Sequence, residues 1–243
     1  MRVAVISDIH GSLSALEAVL EAIEHDAPDV IVQGGDLALN GPRPAEVVDL
    51  IRERGLPGVV GNTDELLWKA EVRAEQEARM PKLRRLLYML FEETAVATTE
   101  LLGAERLAWM RSLPAEMRLE NLALVHASPG DLWNAPMADA DDQTLTDLYG
   151  PLGARQVVYG HIHRPFVRQL NEFMVGNSGS VGMPYDGDSR ASYLLVEEDR
   201  MVVRRVEYDL DREVADLIAI GYPYASWLAE MRRRGSYLPP PTD

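Results

Sequence analysis

Five short apolar runs in this chain each lead directly into a glycine turn, a metal-capable side chain, or both. Val3–Ser7 precedes Asp8-Ile9-His10, Val30–Gln33 precedes Gly34-Gly35-Asp36, and Gly58–Val60 precedes Gly61-Asn62-Thr63-Asp64. Leu122–Val125 precedes His126, and Val157–Tyr159 precedes Gly160-His161-Ile162-His163. Open α/β sheets gather their ligands beyond the carboxyl ends of the strands. Five junctions of this kind predict one convergent site.

The residues between these runs supply the crossovers. Ser12–His25 carries Leu13, Leu16, Val19, Leu20 and Ile23 at helical spacing, with Ser12 placed as N-cap. Pro44–Glu53 reads as a second helix, so the first sixty residues have a β-α-β-α-β order that argues for parallel strands. Residues 65–120 mix Glu and Arg with Leu, Met and Trp at helical spacing, broken at Pro81 and Gly103, and predict a helical cap inserted into a single domain spanning 1–243. Strands return at Leu122–Val125, Val157–Tyr159, Phe173–Val175, Ser192–Val196 and Met201–Val206. The later ones are close enough in sequence for antiparallel pairing. Helices follow at Asp211–Ile220 and Ala225–Arg234, and residues 237–243, with three consecutive prolines, read as a frayed tail.

Composition narrows the function. The formal charge is −15, and a surface this acidic repels phosphate backbones, which argues against a long nucleic acid as partner. The acidity lies in residues 1–64 and 121–200, the same blocks that hold the five junctions. There is no cysteine, which excludes disulfides, thiolate zinc sites and a cysteine nucleophile. No apolar stretch reaches the ~20 residues of a membrane span. The opening MRVAVISD lacks the marks of a signal peptide, so a cytoplasmic location is expected.

The side chains at the junctions define the chemistry. Asp8 and Asp36 offer carboxylates, Asn62 an amide oxygen, and His10, His126, His161 and His163 imidazoles. This mixed set suits Mn, Fe, Zn, Co or Ni and is too rich in nitrogen for Ca or Mg. Seven groups exceed one tetrahedral ion and fit two divalent ions sharing a bridging carboxylate, which would leave net positive charge for a hydroxide and a phosphoryl group. Taken singly, Asp8 and His10 suit a hydrogen-bonded turn, Asp36 a helix N-cap, Asn62 a turn and His126 a satisfied core position. Their joint order favours metal. Only His25 falls outside these motifs, as a surface residue at a helix end.

The ordered set D-x-H, G-D, G-N-x-D, H, G-H-x-H resembles the calcineurin-like metallophosphoesterases, and their small bacterial and archaeal phosphodiesterase branch above all. The resemblance spans residues 3 to about 196 and includes Val125–Pro129 and Asn177–Gly182, whose glycines would let the backbone approach the metals closely. It implies a four-layer α/β/β/α sandwich with a helical cap. Asp8, His10 and His163 would hold one metal, Mn favoured, and Asn62, His126 and His161 the other, with Asp36 bridging. Catalytic duty would fall on Asp36, Asn62 and His126, around a bridging water that attacks phosphorus in line. Many family members carry histidine where this chain has Thr63, and a hydroxyl is no general acid near neutral pH. Aryl diesters or phosphoanhydrides, whose leaving groups need little help, are therefore the expected substrates. Asp64, Asn40, Arg43 and Arg164 are candidates for contact with a small phosphoester or nucleotide-like substrate, or for support of a ligand. The same scaffold also admits a protein phosphatase, a dinucleoside-polyphosphate hydrolase or a non-enzymatic metal-binding platform.

Overall fold

Alternation along each strand decides the architecture, because the central strands of both sheets are buried on both faces. The computed structural model describes residues 1–241. Its first part runs β1 (Val3–Ile6), α1 (Leu13–Asp26), β2 (Val30–Gln33), α2 (Pro44–Glu53) and the single-turn α3 (Asn62–Glu65). The insertion comprises α4 (Val72–Arg79), a 3₁₀ turn at Pro81–Leu83, α5 (Arg84–Tyr88), a π-helical stretch at Met89–Thr94 and α6 (Ala95–Met110). Then come β3 (Glu116–Leu119), β4 (Leu122–Val125), α7 (Asp142–Tyr149), a 3₁₀ turn at Gly150–Leu152, β5 (Gln156–Tyr159), β6 (Phe166–Gln169) and β7 (Met174–Asn177). The order closes with β8 (Ala191–Val196), β9 (Met201–Val206), α8 (Leu210–Ala219) and α9 (Ala225–Arg234).

The strands form two sheets, ordered β2-β1-β8-β9 and β3-β4-β5-β7-β6. Val3 and Val5 of β1, Leu194 and Val196 of β8, Leu122 and Leu124 of β4 and Val158 of β5 form the core between the sheets. The intervening residues Ala4, Ile6, Tyr193 and Leu195 pack instead on Leu16, Val19 and Ile23 of α1 and Val47, Val48 and Ile51 of α2. Ala123, Val125, Val157 and Tyr159 turn outward to Leu145 and Tyr149 of α7. The result is the expected four-layer α/β/β/α sandwich. Each fully buried Val, Leu or Ile contributes roughly 1.5–3 kcal/mol of transfer free energy. A one-residue slip in any strand would exchange these faces.

β1 and β2 are parallel, as are β4 with β5 and β5 with β7. Their carboxyl ends therefore lie on one edge of each sheet. β8 pairs antiparallel with both β1 and β9.

Some expectations need correction. Gly58–Val60 is not a full strand: one parallel bridge joins Gly58 to Gln33, after which the Val60 N–H turns away to the Pro114 carbonyl. Ser12 precedes α1 without capping it through its side chain. The helical run stops at Met110, and Glu116–Leu119, expected inside the cap, is an edge strand antiparallel to β4. Leu102 and Met110 of α6 belong to the core beneath α1 and α2, so this helix is partly framework. The expected frayed tail is docked at its start, where Trp227 Nε1 donates to the Pro239 carbonyl and Tyr237 packs edge-on against Tyr185. Its last two residues, Thr242 and Asp243, lie outside the described residues.

Candidate metal centre

The strand ends meet because backbone groups tie the two sheets together at one edge. The Asp8 carbonyl accepts from the Gly182 N–H, the Asp8 carboxylate from the His161 N–H, and the Gly34 carbonyl from the His126 ring. Contact this close excludes side chains at the glycines. A Cβ on Gly160 would stand 2.5 Å from Asp8 Oδ2, one on Gly61 would stand 2.1 Å from Asp36 Oδ1, and one on Gly182 would stand 2.0 Å from the Ile9 carbonyl.

Five of the seven ligand-type residues occupy left-handed backbone: Asp8 (φ 54°), His10 (51°), Asp36 (57°), His161 (65°) and His163 (55°). Non-glycine residues rarely adopt this region, and such strain persists only where surrounding contacts fix it. Here it turns each side chain from the end of its strand toward a common centre.

All seven residues converge. Ligand atoms of Asp8, His10, Asp36 and His163, all buried, lie within 4.8 Å of one another. His10 Nε2 stands 3.2 Å from His163 Nε2, and His163 Nε2 stands 3.2 Å from Asp8 Oδ1. A second group adjoins the first, with Asn62 Oδ1 2.9 Å from His126 Nε2 and 3.0 Å from His161 Nδ1. Asp36 faces both, its Oδ2 3.7 Å from His10 Nε2 and its Oδ1 3.4 Å from His126 Nε2. His161 is only partly buried, so solvent reaches the centre from its side.

The imidazoles are aimed by carbonyls. His10 Nδ1 donates to Leu39 O at 2.9 Å, His126 Nδ1 to Gly34 O at 2.8 Å, and His163 Nδ1 to Met183 O. A carbonyl can only accept, so in each neutral ring the lone pair is on Nε2, facing the centre. The donor set therefore fits a divalent cation. Nε2 of His10 and Nε2 of His163 stand 3.2 Å apart, close enough for one cation to take both.

Burial, together with the neighbouring imidazoles, pushes His10 and His161 down to about 4, while Asp36 and Asp8 pull weakly the other way. Burial also opposes charge on His126, but the Asp36 and Asp8 carboxylates outweigh it and raise that ring. At Asp8 burial favours the neutral acid, yet His163, then His126 and His10, hold the carboxyl below its usual range. Neutral imidazoles and ionised carboxylates are the forms that bind metal.

The remaining candidates divide. Asp64 is fully buried and pins backbone: its Oδ2 accepts from the N–H groups of Asp36 (2.8 Å) and Gly61 (3.0 Å), and its Oδ1 from Leu37 (2.8 Å). Burial and the Asp36 carboxylate push Asp64 up to about 7, against the pull of those donors. Thr63 donates its backbone N–H to Asp36 Oδ1 at 2.9 Å, and its buried hydroxyl has no hydrogen-bond partner. Asn40 is buried with φ 72° and is held through its backbone. Arg43 is committed to Asp216 at 2.8 Å and to Glu46 on the surface between α2 and α8, while Arg164 is exposed beside His163. Of the tryptophans, Trp109 packs on the framework core. Trp68 lines a groove of about 400 Å³ with Leu66 and Phe91, and Trp133 stacks on Phe91 and donates to Glu65.

Three residues escaped the sequence reading. Tyr185 stacks on His163 with ring centroids 4.3 Å apart, and Tyr222 and Arg232 reach the loop that orients His10. Tyr185 carried no motif. Arg232 opens the run Arg232-Arg233-Arg234 at the end of α9, yet it is fully buried. Its signal was its position in line with Leu228 and Met231 on the apolar side of α9.

Residues 1–201 match the calcineurin-like phosphoesterase superfamily domain, and the chain belongs to that superfamily. It is 30% identical over 251 residues to protein MJ0912 of Methanocaldococcus jannaschii, covering 94% of this chain and 96% of that one. It is 29% identical over 213 residues to phosphodiesterase YfcE of Escherichia coli K12, covering 84% and 91%. The crystal structure of a metallophosphoesterase from Sphaerobacter thermophilus superposes with a TM-score of 0.77 at 28% identity, covering 97% and 99%.

Proposed function

We propose that this chain hydrolyses phosphoesters, diesters in preference to monoesters, at a centre of two divalent ions. The observation that carries the reading is the two-sided placement of Asp36, one carboxylate oxygen toward His10 and the other toward His126. Asp8, His10 and His163 would hold one ion and Asn62, His126 and His161 the other, with Asp36 shared. Mn²⁺ is the favoured ion, and Fe, Zn, Co and Ni suit the same mixed oxygen and nitrogen set. When bound, such ions neutralise phosphoryl charge and lower the pKa of water toward 7.

The protein's own part is positioning. The left-handed backbone and the carbonyl-anchored imidazoles fix the donors before substrate arrives, so little reorganisation accompanies reaction. Thr63 holds Asp36 through its N–H and leaves the leaving group without an acid, a contribution worth ~10²–10⁴-fold elsewhere. Substrates with good leaving groups follow from this. The relative named a phosphodiesterase supports the diester preference.

The test is turnover with Mn²⁺ of bis(p-nitrophenyl) phosphate, p-nitrophenyl phosphate and a series of alkyl and aryl diesters. The diester should be the faster substrate, and rates should fall steeply as the leaving group becomes more basic. Faster monoester turnover would point to a phosphatase, and equal alkyl and aryl rates would show that an acid is present after all. Asp36→Asn and His161→Ala should lose more than the ~10–100-fold that follows loss of a ligand's hydrogen-bond partner. Tight metal binding with no turnover of any phosphoester would indicate a binding platform.

A further inference from the structure

The segment that follows the family match touches the metal centre through the loop that aims His10. Residues 37–41 carry the Leu39 carbonyl that accepts from His10 Nδ1, and they include Asn40 in left-handed backbone. Both backbone groups of Asn40 are taken by side chains from the C-terminal segment. Its N–H donates to the Tyr222 hydroxyl at 2.9 Å, and its carbonyl accepts from Arg232 Nη2 at 2.8 Å. Arg232 Nη2 also lies 3.5 Å from the His10 carbonyl. The Tyr222 hydroxyl continues to Thr98 Oγ1 at 2.7 Å and the Thr94 carbonyl at 3.3 Å, at the start of the last insertion helix.

The arginine is an unusual tie. Arg232 and Glu213 are both fully buried, with Nε 3.9 Å from Oε1, and Arg232 Nε and Nη1 make no hydrogen bond. A buried pair with this geometry contributes poorly to stability, and hydrophobic replacement of both partners is often neutral or stabilising. Its specific bond is the one to Asn40, on the loop of a strained ligand. The same C-terminal region also buttresses His163, since Tyr237 packs on Tyr185, which stacks on His163. The side chains of Asn62, His126 and His161 bond instead to one another and to the Gly34 carbonyl.

We infer that Arg232 and Tyr222 are positioning residues, clamping the Asn40 loop so that His10 is aimed at the ion held by Asp8, His10 and His163. The inference rests on the two-ion reading above and adds that the two halves of the centre depend unequally on the C-terminal helices. Tyr222 further ties this half to the insertion, so a shift of α6 would reach His10 before it reached His126.

The experiment titrates metal-stripped protein with Mn²⁺ by calorimetry and records melting in EDTA. His10→Ala and His161→Ala identify which binding event belongs to which half. Tyr222→Phe, Arg232→Lys and the double variant Arg232→Met with Glu213→Leu are then compared with wild type. The clamp predicts that the His10-sensitive event weakens by about 10–100-fold in the double variant and Tyr222→Phe, and less in Arg232→Lys, while the His161-sensitive event holds. The double variant should also melt near wild type, separating aim from stability. Should it not fold, Tyr222→Phe, which removes a single oxygen, carries the test. An unweakened His10-sensitive event in the folded variants, or equal weakening of both events, would overturn the clamp. Wild-type protein that took up no Mn²⁺ would instead overturn the two-ion reading beneath it.

Discussion

His126 is shifted in the opposite direction from two of its fellow imidazoles although burial acts on all of them. His10 and His161, held down to about 4, are neutral well below pH 7, whereas His126 is lifted by Asp36 and Asp8. A raised histidine keeps its proton to higher pH, and that proton must leave before Nε2 can bind a cation. Mn²⁺ affinity at the Asn62 half should therefore rise with pH through the neutral range, and binding should release protons. The check is calorimetry near pH 7 in buffers of different ionisation enthalpy. A buffer-independent heat and a flat pH profile would show that His126 is already neutral. The candidate ligands are legible in the sequence, since each lies within four residues of the end of an apolar run. Their supports were not, because Leu39, Gly34 and Met183 act through carbonyls, which no side-chain pattern reports.

At the scale of elements, legibility followed burial. β1 and β4 are legible to the residue because their fully buried apolar runs stand clear of their flanks. The edge strands β3 and β6, Glu-Met-Arg-Leu and Phe-Val-Arg-Gln, bury one face only, and their charged residues resemble those of the neighbouring helices and loops. α7 hides in an acidic stretch, although Asp141 caps it by accepting from the Thr144 N–H and Leu145 and Tyr149 mark its buried face. Gly103, by contrast, was correctly read as a break. It interrupts α6 at φ 71° and ψ 165°, a region open to glycine alone. Nothing lies within 4 Å of where its Cβ would stand, so Gly103→Ala tests backbone strain without a clash. It should cost about 1–3 kcal/mol, read as a fall of several degrees in melting temperature for a domain of this size. An unchanged Tm would mean that the backbone at 103 is not held in this conformation.

Over the whole molecule the charge of −15 surrounds the centre proposed to take an anionic substrate. Two divalent ions would bring the formal total to about −11 and make the centre locally positive within an acidic surface. Long-range repulsion then opposes substrate approach while the site attracts it at short range. Raising ionic strength from about 0.01 to 0.15 M shortens the screening length from about 30 to 8 Å. kcat/KM for a small anionic diester should rise over this range, and a long single-stranded nucleic acid should remain a poor substrate at both ends. A steep fall with salt would mean that a cationic surface steers the substrate. Among the described residues no helix is long and apolar enough to cross a membrane.

The centre joins these scales, since Asp36 links two donor groups carried by two sheets. Its most direct measurement is low-temperature EPR of metal-stripped protein loaded stepwise with Mn²⁺. The account predicts uptake of two ions per chain and the spectrum of an exchange-coupled pair, lost in Asp36→Asn. Saturation at one ion, or a spectrum of isolated ions at full loading, would contradict it.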